Sequence, residues 1–212
     1  LSMIPHINTM SSCLNYHLRN IAKIRKFISR SAAEKVVHAL VSSRLDYCNG
    51  LLQNLPVCRL RPLQMAQNTA AWIITFTPRS EHITPVLMAL HWLPVQARIS
   101  YKTATLTFKA LHGLTPDYVA DMLKPYETTR CLRSSNTALL QTAPYSTSYG
   151  RRAFSIAAPI LWNALPERIR LCDTYETFKS ELKTLLFNRF YQWIVFIKIC
   201  FICFILYFIE LF

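Results

Sequence analysis

The chain has 212 residues, 52% of them apolar, and 24 Lys plus Arg against 11 Asp plus Glu give it a net charge of +13. That much apolar material can bury a core and excludes a disordered tail, while three glycines are too few for the glycine-rich phosphate loops of nucleotide-binding α/β folds. Because only Lys198 and Glu210 are charged from Phe190 onward, the whole +13 sits on residues 1 to 189, and the excess points to a polyanion, either a nucleic acid or an anionic membrane surface.

Leu14, Leu18, Ile21, Ile24 and Ile28 recur at helical spacing, with Arg19, Lys23, Lys26 and Arg30 on the opposite side. This predicts one amphipathic helix over 14–30 whose basic stripe could follow a phosphate backbone; an ordinary solvated face has the same pattern. Ser31 and Glu34 form a capping-box pattern, so a second helix is expected to start at Ala32. Val37, Leu40, Val41, Leu45 and Cys48 line its inner side, and Asn49-Gly50 stops it. The short link between the two predicts a hairpin.

Pro56 and Pro62 flank VCRLR, and the next helix is expected to follow Pro62 and close before Pro78. In HITPVLMALHWLPV, residues 82–95, Thr84 is the expected cap and Pro85 the first helical residue. This helix must end before Pro94, with Val86, Leu87, Leu90 and Trp92 or Leu93 facing the core. Residues 96–112 read as a helix with Ile99, Leu106 and Ala110 inward and Gly113 past its end. Thr115-Pro116-Asp117 then opens a short helix to Lys124.

Residues 126–150 are rich in Ser and Thr, and ALLQTAPY within them can form a short extended piece near 138–146 that pairs with a neighbour. A helix interrupted by Pro159 follows, packing through Phe154, Ile156, Leu161, Trp162 and Leu165, with Arg151, Arg152, Arg168 and Arg170 at its ends. Residues 175–187 form a last amphipathic helix with Phe178, Leu182, Leu185 and Leu186 inward.

The stretch from Phe190 to Phe212 is long enough to cross a bilayer, which takes about 20 residues. Lys198 interrupts it at roughly 2.5 to 3.5 kcal/mol if central, and Lys179, Lys183 and Arg189 would hold the preceding body in the cytoplasm. Its Ile, Phe, Tyr, Leu and Lys bias equally fits translated A/T-rich flanking sequence. Seven cysteines (Cys13, Cys48, Cys58, Cys131, Cys172, Cys200 and Cys203), with no recognisable secretory signal, predict reduced, buried thiols in an intracellular protein. Cys200 and Cys203 have no second pair and no nearby histidine, which argues against a zinc or redox role.

The expected fold is mainly α: a small module of short, proline-delimited helices with that short extended piece and a C-terminal apolar helix. It divides into a helical hairpin over 1–52, a helical core over 53–125, a Ser/Thr-rich connection with C-terminal helices over 126–189, and a candidate transmembrane helix over 190–212.

SRLDYCNGLL (43–52), LQMAQNTAAWIIT (63–75), HITPVLMALHWLPVQARISYK (82–102), KALHGLTPDYVADML (109–123) and RRAFSIAAPILWNALPERIR (151–170), followed by FKSELKTLLF, occur in consecutive order. Together they resemble the C-terminal region of the reverse-transcriptase polyprotein of non-LTR retrotransposons, the long interspersed elements, over residues 11–187. The resemblance implies an RNA-directed DNA polymerase in the intact element, whose paired aspartates in a [FY]-x-D-D block hold two divalent metals. That block lies upstream of the matched region, and Asp46, Asp117, Asp121 and Asp173 contain no adjacent pair. The expectation is therefore a catalytically inactive fragment, translated from a truncated copy.

No catalytic residue, metal ligand or cofactor is assigned. The candidate partner is an RNA or DNA phosphate backbone, contacted first by Arg19, Lys23, Lys26 and Arg30 and second by Arg151 and Arg152. A tail-anchored membrane protein with a basic cytosolic domain is the main alternative. An enzyme using His82, His91 and His112 with Cys48 or Cys58 ranks last, because the chain has no H-x-x-x-H pair and nothing selects one nucleophile.

Overall fold

A computed structural model describes residues 2–126, 138–147 and 149–191. Apart from Phe190 and Tyr191, the candidate transmembrane segment lies outside these residues, as do Cys131, Cys200 and Cys203. The described chain is mainly helical and contains no strand. In chain order its α-helices are α1 (Ile4–Ile24), α2 (Arg30–Val37), α3 (Ser43–Asp46), α4 (Val57–Thr75), α5 (Ile83–Ala89), α6 (Val95–Leu111), α7 (Asp117–Ala120), α8 (Phe154–Asn163) and α9 (Glu167–Arg170). Residues 175–191 form a further helix, α10. No described helix is long and apolar enough to cross a membrane.

Two apolar clusters meet across α6. Ile7, Leu14, Leu18 and Ile21 of α1 pack on Leu63, Ala66, Ala70 and Ile74 of α4, with Val37, Val41 and Leu45 closing one side. The second cluster gathers Trp162 of α8, Ile169 of α9, and Phe178, Leu182 and Leu186 of α10. Helix α6 gives Val95 and Ile99 to the first cluster and Ala97, Ala104 and Phe108 to the second. A helix buried on both sides has no single apolar stripe, which is why its sequence displays only part of its inner surface. Its buried Thr103 and Thr107 hydroxyls are satisfied locally, donating to the carbonyls of Ile99 and Thr103 at 3.1 and 2.9 Å.

Several expected boundaries move. The first helix does not run to Arg30: α1 ends at Ile24, the 3-10 turn Arg25–Phe27 follows, and Ile28 is extended. Ser29, not Ser31, caps α2, its hydroxyl accepting from the Ala32 N–H at 3.2 Å, and Glu34 pairs with Arg30 at 3.0 Å instead of reaching back to the cap. A π-helical turn, His38–Ser42, joins α2 to α3. The stop is Cys48, left-handed at φ 51°, which leaves its thiol exposed rather than on the buried side.

Helix α4 begins at Val57 and carries Pro62 inside it; α8 likewise runs through Pro159 without interruption. Each proline gives up one ladder bond in a helix whose packed face offsets the loss. His82 replaces Thr84 as the cap of α5, its Nδ1 accepting from the Thr84 N–H at 3.3 Å. Thr115 makes no cap bond, and α7 stops at Ala120 rather than Lys124. The expected extended piece amounts to one antiparallel bridge between Pro125 and Leu140. Asn163 pins it from α8, accepting from the Leu140 N–H at 2.9 Å and donating to its carbonyl at 2.8 Å.

Two side-chain amides of α4, one buried and one half-buried, fasten the connection between α5 and α6. Gln67, 1% exposed, donates to the Leu93 carbonyl at 2.8 Å, and Gln64 accepts from the Val95 N–H at 2.9 Å. Buried polar groups are tolerated only when paired in this way, and here they fix the turn that starts α6. The expectation of buried thiols is not met: Cys48 and Cys58 are exposed, and Cys13 and Cys172 are half-buried. Cys48 follows the end of α3 and Cys58 is the second residue of α4.

Candidate nucleic-acid interface

The break after Ile24 divides the basic residues by role. Arg25, 6% exposed, turns inward; its Nε and Nη2 donate to the carbonyls of Ile73 and Ile74 at 2.9 and 2.7 Å, and Nη1 to Ile28 at 2.9 Å. Its guanidinium thus satisfies carbonyls left open at the C-terminal end of α4. The left-handed Phe76 (φ 57°) that ends α4 places its ring 4.0 Å from the Arg25 carbon. Arg25, which the basic stripe did not include, is thus structural.

Arg19, Lys23 and Lys26 remain exposed. They belong to none of the ion pairs among the described residues. Tyr16, three residues before Arg19, is 64% exposed, and Phe27, four after Lys23, is 77% exposed. Lys26 Nζ lies 5.0 Å from the Phe27 ring centroid. Cations flanked by accessible aromatic faces are the chemistry that holds single-stranded nucleic acid, the cations taking phosphates and the rings taking bases. Sequence reasoning missed Tyr16 and Phe27, although their spacing from the cations was visible.

The other expected contacts stand apart from this strip. Arg30 opens α2 and is engaged by Glu34. Arg151 and Arg152 occupy the 3-10 turn Gly150–Arg152, which leads into α8. There the Arg151 carbonyl accepts from the Asn54 amide at 2.8 Å, and Arg152 lies 4.5 Å over the Tyr149 ring. The structure therefore places the six predicted residues on four elements, Arg19 and Lys23 on α1, Lys26 on the 3-10 turn after it, Arg30 on α2 and Arg151 and Arg152 on the turn before α8, so the four expected along one stripe do not share one helix.

The histidines are occupied by packing. His82 caps α5. His112 stacks on Phe108 with centroids 3.9 Å apart, its Nδ1 lying 2.9 Å from the Phe108 carbonyl. His91 lies against Phe187 at 6.1 Å. Among the described residues none of them is hydrogen-bonded to Cys48 or Cys58, and no three His, Cys, Asp or Glu side chains gather as a metal ion would require.

A separate cavity of about 310 Å³ lies where α3, α6, α10 and the 91–93 connection meet. Arg98 and Lys102, one turn apart on α6, line it with Lys183 of α10. Asp46 faces Arg98 at 3.5 Å. Burial pushes the Asp46 carboxyl above its usual range, opposed by Arg98, His38 and Lys102. Compared with known proteins, the chain matches no family model, no curated protein and no solved structure.

Proposed function

We propose that this chain is a helical nucleic-acid-binding module that holds a single strand of RNA or DNA along the exposed side of α1's C-terminal end and the 3-10 turn that follows it. The observation that carries this reading is the run of three exposed cations, Arg19, Lys23 and Lys26, with an exposed aromatic ring at each end, Tyr16 and Phe27, in a chain of net charge +13. Arg30, Arg151 and Arg152 add weaker, peripheral phosphate contacts. The ordered sequence blocks support an origin in the C-terminal region of a non-LTR reverse transcriptase. The lack of adjacent aspartates in the sequence supports binding without polymerase chemistry. Binding of the full chain to a labelled single strand, followed between about 50 and 200 mM salt, tests the proposal: affinity should fall steeply with salt and vary little with sequence. No binding at the low-salt end would overturn it.

A second reading rests on residues 190–212, whose only charges are Lys198 and Glu210. Such a segment suits a membrane anchor in an intracellular protein. Alkaline extraction separates the two readings. An anchored chain stays with the membrane and is released by Phe204→Asp, whereas a chain held electrostatically comes off in either form.

A further inference from the structure

We propose that the cavity between α3, α6 and α10 is a binding site for a small phosphate monoester carrying hydroxyl groups, of the sugar-phosphate class. Arg98, Lys102 and Lys183 bring three cations to one space against a single carboxylate, Asp46. The surplus of two positive charges matches a phosphate dianion. Asp46 already engages Arg98 at 3.5 Å, so Lys102 and Lys183, both exposed, are the cations left to take the phosphate.

The walls specify the rest of the ligand. The cavity's volume of about 310 Å³ lies at the small end of ligand sites, which run from about 300 to 1,000 Å³. A phosphate alone would leave much of it empty. Asn49 lines the inner wall, is 2% exposed, and its Oδ1 has no hydrogen-bond partner. Its Nδ2 faces Asp46 at 3.5 Å, which orients the amide with the oxygen as the unmet group. An unpaired buried acceptor is costly and favours a ligand that brings an O–H donor. Trp92 and Tyr101 supply an apolar wall for the ligand's carbon skeleton.

This site is separate from the α1 strip and does not depend on it. Calorimetric titration of the full chain with ribose 5-phosphate and with inorganic phosphate is the test. Ribose 5-phosphate should bind saturably and more tightly than inorganic phosphate. Lys102→Gln and Lys183→Gln, both on solvent-exposed side chains, should each weaken it about fivefold, the usual worth of a partly screened charge. Asp46→Asn should tighten binding about threefold by removing the competing carboxylate, a gain that loss of folding cannot mimic. Arg19→Gln with Lys23→Gln should leave this binding unchanged while weakening the single strand, so failure of one proposal is distinct from failure of the other. A 5′-phosphorylated strand preferred over its 5′-hydroxyl form, with the preference lost in Lys183→Gln, would identify a strand terminus as the source of the sugar phosphate; no such preference would identify a free metabolite. Absence of saturable ribose 5-phosphate binding, equal affinity for inorganic phosphate, or indifference to the Lys102, Lys183 and Asp46 substitutions would overturn the proposal.

Discussion

The Tyr191 hydroxyl donates to the Trp92 carbonyl at 2.5 Å, joining the end of α10 to the turn before α6 across 99 positions of sequence. Tyr191 is 3% exposed, and its ring meets that of Phe187 edge-on at 4.7 Å. The helical body thus includes Tyr191. Tyr191→Phe keeps the ring and deletes the donor, so it should lower stability by about 1 kcal/mol, the usual net worth of such a bond. Chemical denaturation of the full chain measures this, and an unchanged midpoint would contradict it.

Arg25 and its exposed neighbours should separate under mutation. Arg25→Gln removes charged donors from the end of α4 and should cost about 1.5 to 3 kcal/mol. Arg25→Lys should rescue little of this, since one ammonium cannot replace a planar fork reaching three carbonyls. Arg19→Gln and Lys23→Gln should stay within about 0.5 kcal/mol of the parent, as surface changes do. Thermal unfolding of the four variants side by side would show whether the inward and outward cations differ as their positions require.

Strand binding should report the number of cations available. If Arg19, Lys23 and Lys26 each neutralise one phosphate, the logarithm of affinity should fall with that of salt at a slope of about −2, using about 0.7 per contact on a single strand. Each Gln substitution should reduce the slope by a little under one unit, and Arg30→Gln by less, because Glu34 already engages that side chain. Phe27→Ala should weaken binding by about 1 to 3 kcal/mol with the slope unchanged, since stacking releases no counterions. A slope that dropped with Phe27 would assign the ring a structural role instead.

Asp46 should make stability depend on pH. Its carboxyl is raised above the ordinary value of about 4, so the unfolded chain releases this proton more readily than the folded one. The group's contribution is complete below that ordinary value and is lost as pH rises through the raised folded value. Asp46→Asn does not titrate and should gain on the parent between about pH 3 and 6. The gain should stay within about 1 kcal/mol because the side chain is 44% exposed and screened by solvent. Melting temperatures across that interval provide the check.

The parts of the fold legible in the sequence are those set by local spacing. Leu14, Leu18 and Ile21 are buried as their period requires, and Gly113 takes the left-handed turn after α6 at φ 66°. What local spacing cannot carry is a partner far along the chain. The end of α1 is fixed by Arg25 reaching carbonyls 48 and 49 residues away, and no periodicity contains that. The choice of His82 over Thr84 as cap was a competition between two acceptors two positions apart, for which residue preferences name the commoner type. For the candidate interface the cations were visible and the aromatics overlooked. The division of those cations among separate elements depended on the break at Ile24.

The π-helical turn at His38–Ser42 gives the second segment slack that the first lacks. It holds one residue more than a regular ladder would need, yet Leu45 beyond it still reaches the core at 3% exposure. Loss of a single residue here, such as the exposed Ala39, would straighten the turn into ordinary α-helix and leave later side chains on their faces. A one-residue deletion in the middle of α1 would instead swing everything after it by about 100°. Tolerance to a one-residue change in length is thus greater at this turn than within α1, at the join between the part of the chain that carries Arg19, Lys23 and Lys26 and the part that frames the cavity.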